Sequence, residues 1–507
     1  MITALAWSMI IVFMALIMAK KIHPFVGLAF VPLAFTVLGA FLGVFKGTIG
    51  EALEKPAADV TLLDQFQIFG DWAKDGMVTT SATAFLLLFA ILFFSVMLHV
   101  GVFDPITRKI LKIAKGDPLK VTIGTGIISA VVSLSGDGTT TTLIVCTALI
   151  PIYQRLGMKL LDLAVILILM NTILNLLPWS GPTARVLAVM PDIDPNEMLR
   201  ALAPGMVASI LFVMLVCVFI GLRERRRLGV QEMSDFEIDV MLAEFDRKSG
   251  IGAGSPTVVE PADDTDGRTG TGSGSGSGST GSTGSGGSGG GVDVAVKTAT
   301  RSKIIMTVNT VLTVGSLVLL VLGLFAPLFI FLTATLIAFL VNFPKIPKLK
   351  AFIDSASPDV VQTVIMVIGA GVFLGLFSNS GMSDAVAQSM VDFIPASLGS
   401  QWPIITTLIS APGGFFLSND GFFYGVLPVL SQAGQAYGFS EFEIGYASLM
   451  GQAFHMLSPL TAFIYLLLNM TGQDMGTWQR SAGKWAAGIF VILIGVSLLT
   501  GQISLAG

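Results

Sequence analysis

The stretch SLSGDGTTTTLI, residues 133–144, sets one carboxylate, Asp137, between two glycines, with serines before it and threonines after. The chain around it is 53% hydrophobic and only 12% charged, with a mean hydropathy of +0.81. That balance lies far outside the soluble range. Apolar runs of about 20 residues recur, the length that crosses about 30 Å of hydrocarbon. The composition therefore indicates an all-α polytopic membrane protein; a transmembrane barrel would show short alternating segments instead. The first run, residues 2–19, lacks a basic leader and a small-residue cleavage site, and reads as a retained helix. A polar run at membrane depth is tolerated only where it is buried in protein or lines a wet cavity.

A second stretch, FFLSNDGFFYGVL at residues 415–427, repeats Ser-x-Asp-Gly. Apolar segments suited to helices cover about 2–19, 25–44, 81–103, 161–190 with a break, 198–222, 303–325, 328–343, 359–378, 444–470 with a break, and 484–505. Lys and Arg gather in some connections (Lys20-Lys21, Arg108 to Lys120, Arg155 with Lys159, Arg223 to Arg227, Lys345 to Lys350). Acidic residues gather in others, such as Glu51 to Asp75 and Glu441-Glu443. The positive-inside rule puts the basic set in the cytoplasm. Both ends of 119–154 then lie on that side, and its two halves are short. It reads as a re-entrant hairpin with Gly136-Asp137-Gly138 at its tip. Residues 401–435 read as a hairpin from the other side, with Asn419-Asp420-Gly421 at its tip.

Further short motifs recur in the same order. Gly101-Val102-Phe103-Asp104 is matched by Gly381-Met382-Ser383-Asp384, and Ser180-Gly181-Pro182-Thr183-Ala184 by Ser458-Pro459-Leu460-Thr461-Ala462. Proline inside an apolar segment frees carbonyls and breaks the helix. The expectation is two inverted repeats, 1–228 and 301–507, each of five transmembrane helices plus a re-entrant hairpin, with broken helices at the midplane. Such repeats mark secondary transporters. Between them, residues 229–300 form an acidic and then Gly/Ser-rich linker, expected to be flexible and cytoplasmic.

Ionisable groups within a membrane are costly and mark candidate sites. Here they are Asp137, Arg185, Asp420 and His455. Around them stand Ser135, Gly136, Thr139, Thr140, Ser180, Gly181, Thr183, Ser418, Asn419, Ser458 and Thr461, as candidate substrate-binding residues. Helix N-termini at the tips attract anions. Carbonyls freed at the breaks suit a hard cation such as Mg²⁺, Ca²⁺ or Na⁺, and no Cys/His ligand cluster is present. Asp137 and Asp420 have three roles open to them: metal ligand, carrier of a coupling proton, or cap of a tip. Arg185 could hold a substrate carboxylate, snorkel, or pair with Asp137. His455 could couple protons or simply pack. His23 and His99, near helix ends, look ordinary. Cys146 and Cys217 lie in apolar runs and read as buried small hydrophobes. No nucleotide-binding, hydrolase or haem motif is present, and nothing suggests nucleic-acid binding or a resident cofactor.

The blocks GDGTTTTLIVCTALIPIYQRLGMK (136–159), LNLLPWSGPTARVLAVMPDIDPNEM (174–198), FFLSNDGFFYGVLPVL (415–430) and GQAFHMLSPLTAFIYLLL (451–468) resemble the citrate–divalent metal:proton symporter family, CitMHS, of the ion-transporter superfamily. The resemblance spans nearly the whole chain except the Gly/Ser linker. It implies uptake of citrate complexed to a divalent ion such as Mg²⁺ or Ca²⁺, driven by protons, in a bacterial cell (inner) membrane. It also implies a homodimer with a scaffold and a moving transport domain. Sodium-coupled relatives carry Ser-Asn-Thr at both tips; the tips here differ, which agrees with a cation other than Na⁺. The alternatives are a sodium- or proton-coupled di- or tricarboxylate carrier without metal, and a channel or membrane sensor.

Overall fold

The computed structural model describes residues 1–19, 21–230, 303–393, 396–417 and 419–503. Ser418 and nearly all of the 229–300 linker lie outside the described residues. Among those described, the chain is helical with no strand. Six helices among the described residues are long and apolar enough to span a membrane.

The first half runs α1 (Ile2–Met18), α2 (Pro24–Phe41), a short α3 (Lys46–Ala52), α4 (Leu62–His99), α5 (Asp104–Ala114), α6 (Pro118–Ser133), α7 (Gly138–Leu156), α8 (Leu160–Leu174), α9 (Gly181–Val189) and α10 (Pro195–Leu228). The second runs α11 (Lys303–Leu322), α12 (Pro327–Asn342), α13 (Ile346–Asn379), α14 (Met382–Phe393), α15 (Trp402–Phe416), a π-helical turn (Gly421–Val426), α16 (Leu427–Ala436), α17 (Glu441–Leu449), α18 (Gln452–His455), α19 (Ala462–Thr471) and α20 (Met475–Leu499).

The helix pairs α6–α7 and α15–α16 stand where the hairpins are expected, and both expected breaks occur, at 175–180 and 456–461. Other expectations need correction. The helix expected at 81–103 starts at Leu62, and that expected at 359–378 starts at Ile346. Residues 62–75, read as part of an acidic loop, are helical: Thr61 and Asp64 form a reciprocal capping box that nucleates α4 above the apolar run. Two short helices, α5 and α14, follow the long ones and were not foreseen. Gly101 and Gly381, with φ of 73° and 77°, make the left-handed turns into them. A side chain at Gly101 would also strike Asp104 Oδ2 at 2.3 Å. The recurring Gly-x-x-Asp motif is thus a turn from a long helix into a short one.

The long helices α4 and α13 pack against each other along their lengths. A Cβ on Gly76 would lie 2.0 Å from the Gly371 carbonyl oxygen, and one on Gly375 2.0 Å from that of Trp72. Backbone meets backbone there, which only glycine permits. Each long helix is flanked by the second helix of the other half: α2 packs on α13, and α12 on α4.

Candidate functional site

Proline and glycine shape the first hairpin tip and the first break together. Residues 134–137 join α6 to α7, with Gly136 at φ 75°. Asp137 caps α7, its two carboxylate oxygens accepting from the N–H groups of Thr139 (3.1 Å) and Thr140 (2.7 Å). Of the three roles open to Asp137, capping is therefore made in this conformation. The tip rests on the first break: the Trp179 indole N–H donates to the Leu134 carbonyl at 3.0 Å, and the Ser180 hydroxyl lies 3.2 Å from that of Gly136. The Ser180 hydroxyl also bonds the Asn175 side chain. A side chain at Gly136 would be strained by its positive φ and crowded, with a Cβ 3.0 Å from Ser180 Oγ.

The second tip joins the first break across the halves. Arg185 Nε donates to Asp420 Oδ1 at 2.8 Å, and its Nη1 to the Gly181 carbonyl at 2.8 Å. The arginine's partner is thus Asp420, not the Asp137 pairing considered from sequence. After Asp420 the chain takes a π-helical turn, in which buried Tyr424 lies beside the ion pair. Pro428 lacks the N–H that a regular turn would offer four residues back.

These groups surround a cavity of about 390 Å³. It is lined by Ser135, Gly136, Asp137, Thr139 and Thr140 from the first tip, and by Ser180, Gly181 and Arg185 from the first break. Asp420 and Tyr424 line it from the second tip. The remaining candidates are elsewhere. Thr183 donates to the Leu176 carbonyl at 2.7 Å, Thr461 reaches the His455 carbonyl at 3.4 Å, and Ser458 Oγ accepts from the Leu460 N–H at 3.2 Å. They satisfy backbone freed at the breaks. His455 is buried, with Nδ1 2.8 Å from the Gly414 carbonyl oxygen, tying the second break to the second hairpin. The Asn419 amide oxygen is buried without a hydrogen-bond partner among the described residues.

The cavity's opposite wall went unforeseen. Asp359, Gln362 and Thr363 line it from α13, Ser95 from α4, and His23, which caps α2, from the end of that helix. A polar stripe at i, i+3, i+4 in α13 was the signal available. Among the described residues no cluster of three or more His, Cys, Asp or Glu is placed to hold a metal ion. The lining offers carboxylates, hydroxyls and carbonyls, oxygen groups of the kind that hard cations take.

Spanning helices folded around a polar cavity, where two hairpin tips and one broken helix meet, describe a multi-pass membrane transporter. The chain belongs to the CitMHS citrate transporter family, whose model matches residues 2–451. Its relatives are transporters, not enzymes. It is 34% identical to a Bacillus subtilis (strain 168) protein named "Citrate transporter", over 99% of this chain and all of that one. It is 31% identical to a second protein of that strain, "Mg(2+)/citrate complex secondary transporter", over the full length of both. Among solved structures, Neisseria gonorrhoeae MtrF, described as illuminating a class of antimetabolite efflux pumps, shares the fold. It matches at a TM-score of 0.51 and 14% identity, over 94% of each chain.

Proposed function

We propose that the protein is a secondary transporter that carries citrate as its complex with a divalent cation such as Mg²⁺ or Ca²⁺, in symport with protons. The observation that carries this reading is the convergence of both hairpin tips and the first break on one cavity. In that cavity the Thr139 and Thr140 hydroxyls, Ser180 and the Arg185 guanidinium suit citrate oxygens, and Asp137 suits the bound cation. A carboxylate facing a carboxylate substrate repels it unless a cation or proton intervenes. Asp137, Asp420 and His455 are the groups proposed to carry the coupling proton. The name of one relative, a Mg²⁺/citrate carrier, supports the metal-complexed substrate.

The parallel order of elements supports two inverted repeats. The cavity reaches His23, two residues from Lys21, on the side that the positive-inside rule makes cytoplasmic. We therefore read this conformation as open to the cytoplasm. Alternating access moves the tips and breaks against the α4–α13 pair, in a bacterial inner membrane, with the linker in the cytoplasm and a homodimer as the working unit. The test is labelled-citrate uptake into proteoliposomes under an inward proton gradient. Uptake that needs a divalent ion, stops with chelator or protonophore, and is lost in Asp137→Asn is the expected result. Na⁺-driven uptake indifferent to chelator would replace it with a sodium–carboxylate carrier.

A further inference from the structure

We propose that Asp359, on the α13 wall of the cavity, selects the metal-complexed substrate over the free carboxylate. The inference rests on the metal–citrate reading above, and extends it to a residue that belongs to neither hairpin nor broken helix.

From residue 364 to 377, α13 is wholly apolar or glycine. Just before that run, Asp359, Gln362 and Thr363 share one face of the helix and line the cavity. Asp359 is exposed there, so its charge acts directly on whatever enters the cavity. Among the described residues Asp359 has no ion-pair partner, and its electrostatic neighbour is Asp137, whose charge repels its own. The cavity's one arginine, Arg185, is held by Asp420 and the Gly181 carbonyl. The lining therefore carries three carboxylates against one guanidinium, with His23 and the Tyr424 phenol as the further titratable groups.

Such a wall treats the two forms of the substrate differently. Free citrate brings only negative charge to it, and a cleft lined by charge of one sign repels it. In the complex, the cation's open face turns toward Asp359 and Asp137, while citrate's free oxygens turn toward Thr139, Thr140 and Ser180. Selection then comes from rejecting the wrong form as well as from holding the right one. α13 is locked to α4 by backbone contact at Gly76 and Gly371, so Asp359 stays in place while the hairpin tip moves.

The experiment measures, in proteoliposomes, how strongly metal-free citrate inhibits uptake of labelled Mg²⁺–citrate, as the ratio of the inhibition constant for free citrate to KM for the complex. The expectation is that Asp359→Asn lowers that ratio at least about tenfold, and that Asp359→Glu restores it. A merely structural role would reduce uptake and leave the ratio unchanged, and that outcome overturns the proposal. Should Asp359→Asn not reach the bilayer, Gln362→Glu adds a carboxylate on the same face and should raise the ratio; no rise overturns the proposal equally. If the unsubstituted protein carries free citrate as well as the complex, the metal–citrate reading fails and takes this inference with it. If the unsubstituted protein needs metal and the variants do not shift, only the role of Asp359 fails.

Discussion

Arg185 and Asp420 stand 235 positions apart and meet at 2.8 Å, each with about a quarter of its side chain exposed. An ion pair so placed joins the first broken helix to the second hairpin tip, and removing one partner leaves the other charge poorly solvated. Arg185→Gln and Asp420→Asn should each lower the melting temperature of detergent-purified protein, and the double variant should be less damaged than the sum. The coupling should be about 1–3 kcal/mol. Strict additivity would mean that the pair contributes nothing to joining the halves. At this scale the sequence was partly legible. Asp137, Ser180 and Arg185 announced themselves as polar groups beside glycine and proline in apolar surroundings, and all three line the cavity. Asp359, Gln362 and Thr363 carried no turn signal, and only the packing of α13 reveals which way they face. Thr183, Ser458 and Thr461 stood out for the same reason as Ser180, yet their hydrogen-bonding groups serve carbonyls and N–H groups at the breaks.

Among the elements, the crossing of α4 and α13 holds the second wall of the cavity in place. Gly76, Gly371 and Gly375 bring backbone against backbone, and a methyl group at Gly76 would meet a carbonyl oxygen rather than a side chain able to swing away. Gly76→Ala should therefore cost at least about 2 kcal/mol of stability, measured as loss of melting temperature and of folded protein in the membrane. Gly70→Ala is the internal control: it lies on the same helix with nothing within 4 Å of the added carbon, and should be neutral or stabilising. Equal effects of the two substitutions would show that the close crossing is not needed. The breaks and hairpins were readable because proline and glycine interrupt apolar runs sharply. The short helices α5 and α14 were missed because eleven or twelve residues bearing charges look like a connection. The first turns of α4 and α13 were missed for a related reason: a span of lipid-crossing length says nothing about how far a helix continues beyond its apolar run.

For the whole molecule, the decisive feature is that one cavity is built from parts far apart in the chain. The first tip and break supply most of its polar wall, the second tip supplies the partner of Arg185, and α13 supplies the facing carboxylate. Hydropathy alone indicated a membrane protein. It could not indicate that the two tips would share a single site, because that depends on how the halves interleave, α2 against α13 and α12 against α4. The account's central claim is that this cavity carries citrate and a divalent cation together. The most direct test loads proteoliposomes under a proton gradient with citrate and Ca²⁺ bearing different labels, and follows both in the same vesicles. The account predicts that the two enter together, in a fixed and equimolar ratio, and that neither accumulates alone. Citrate accumulating in vesicles that take up no metal would contradict it.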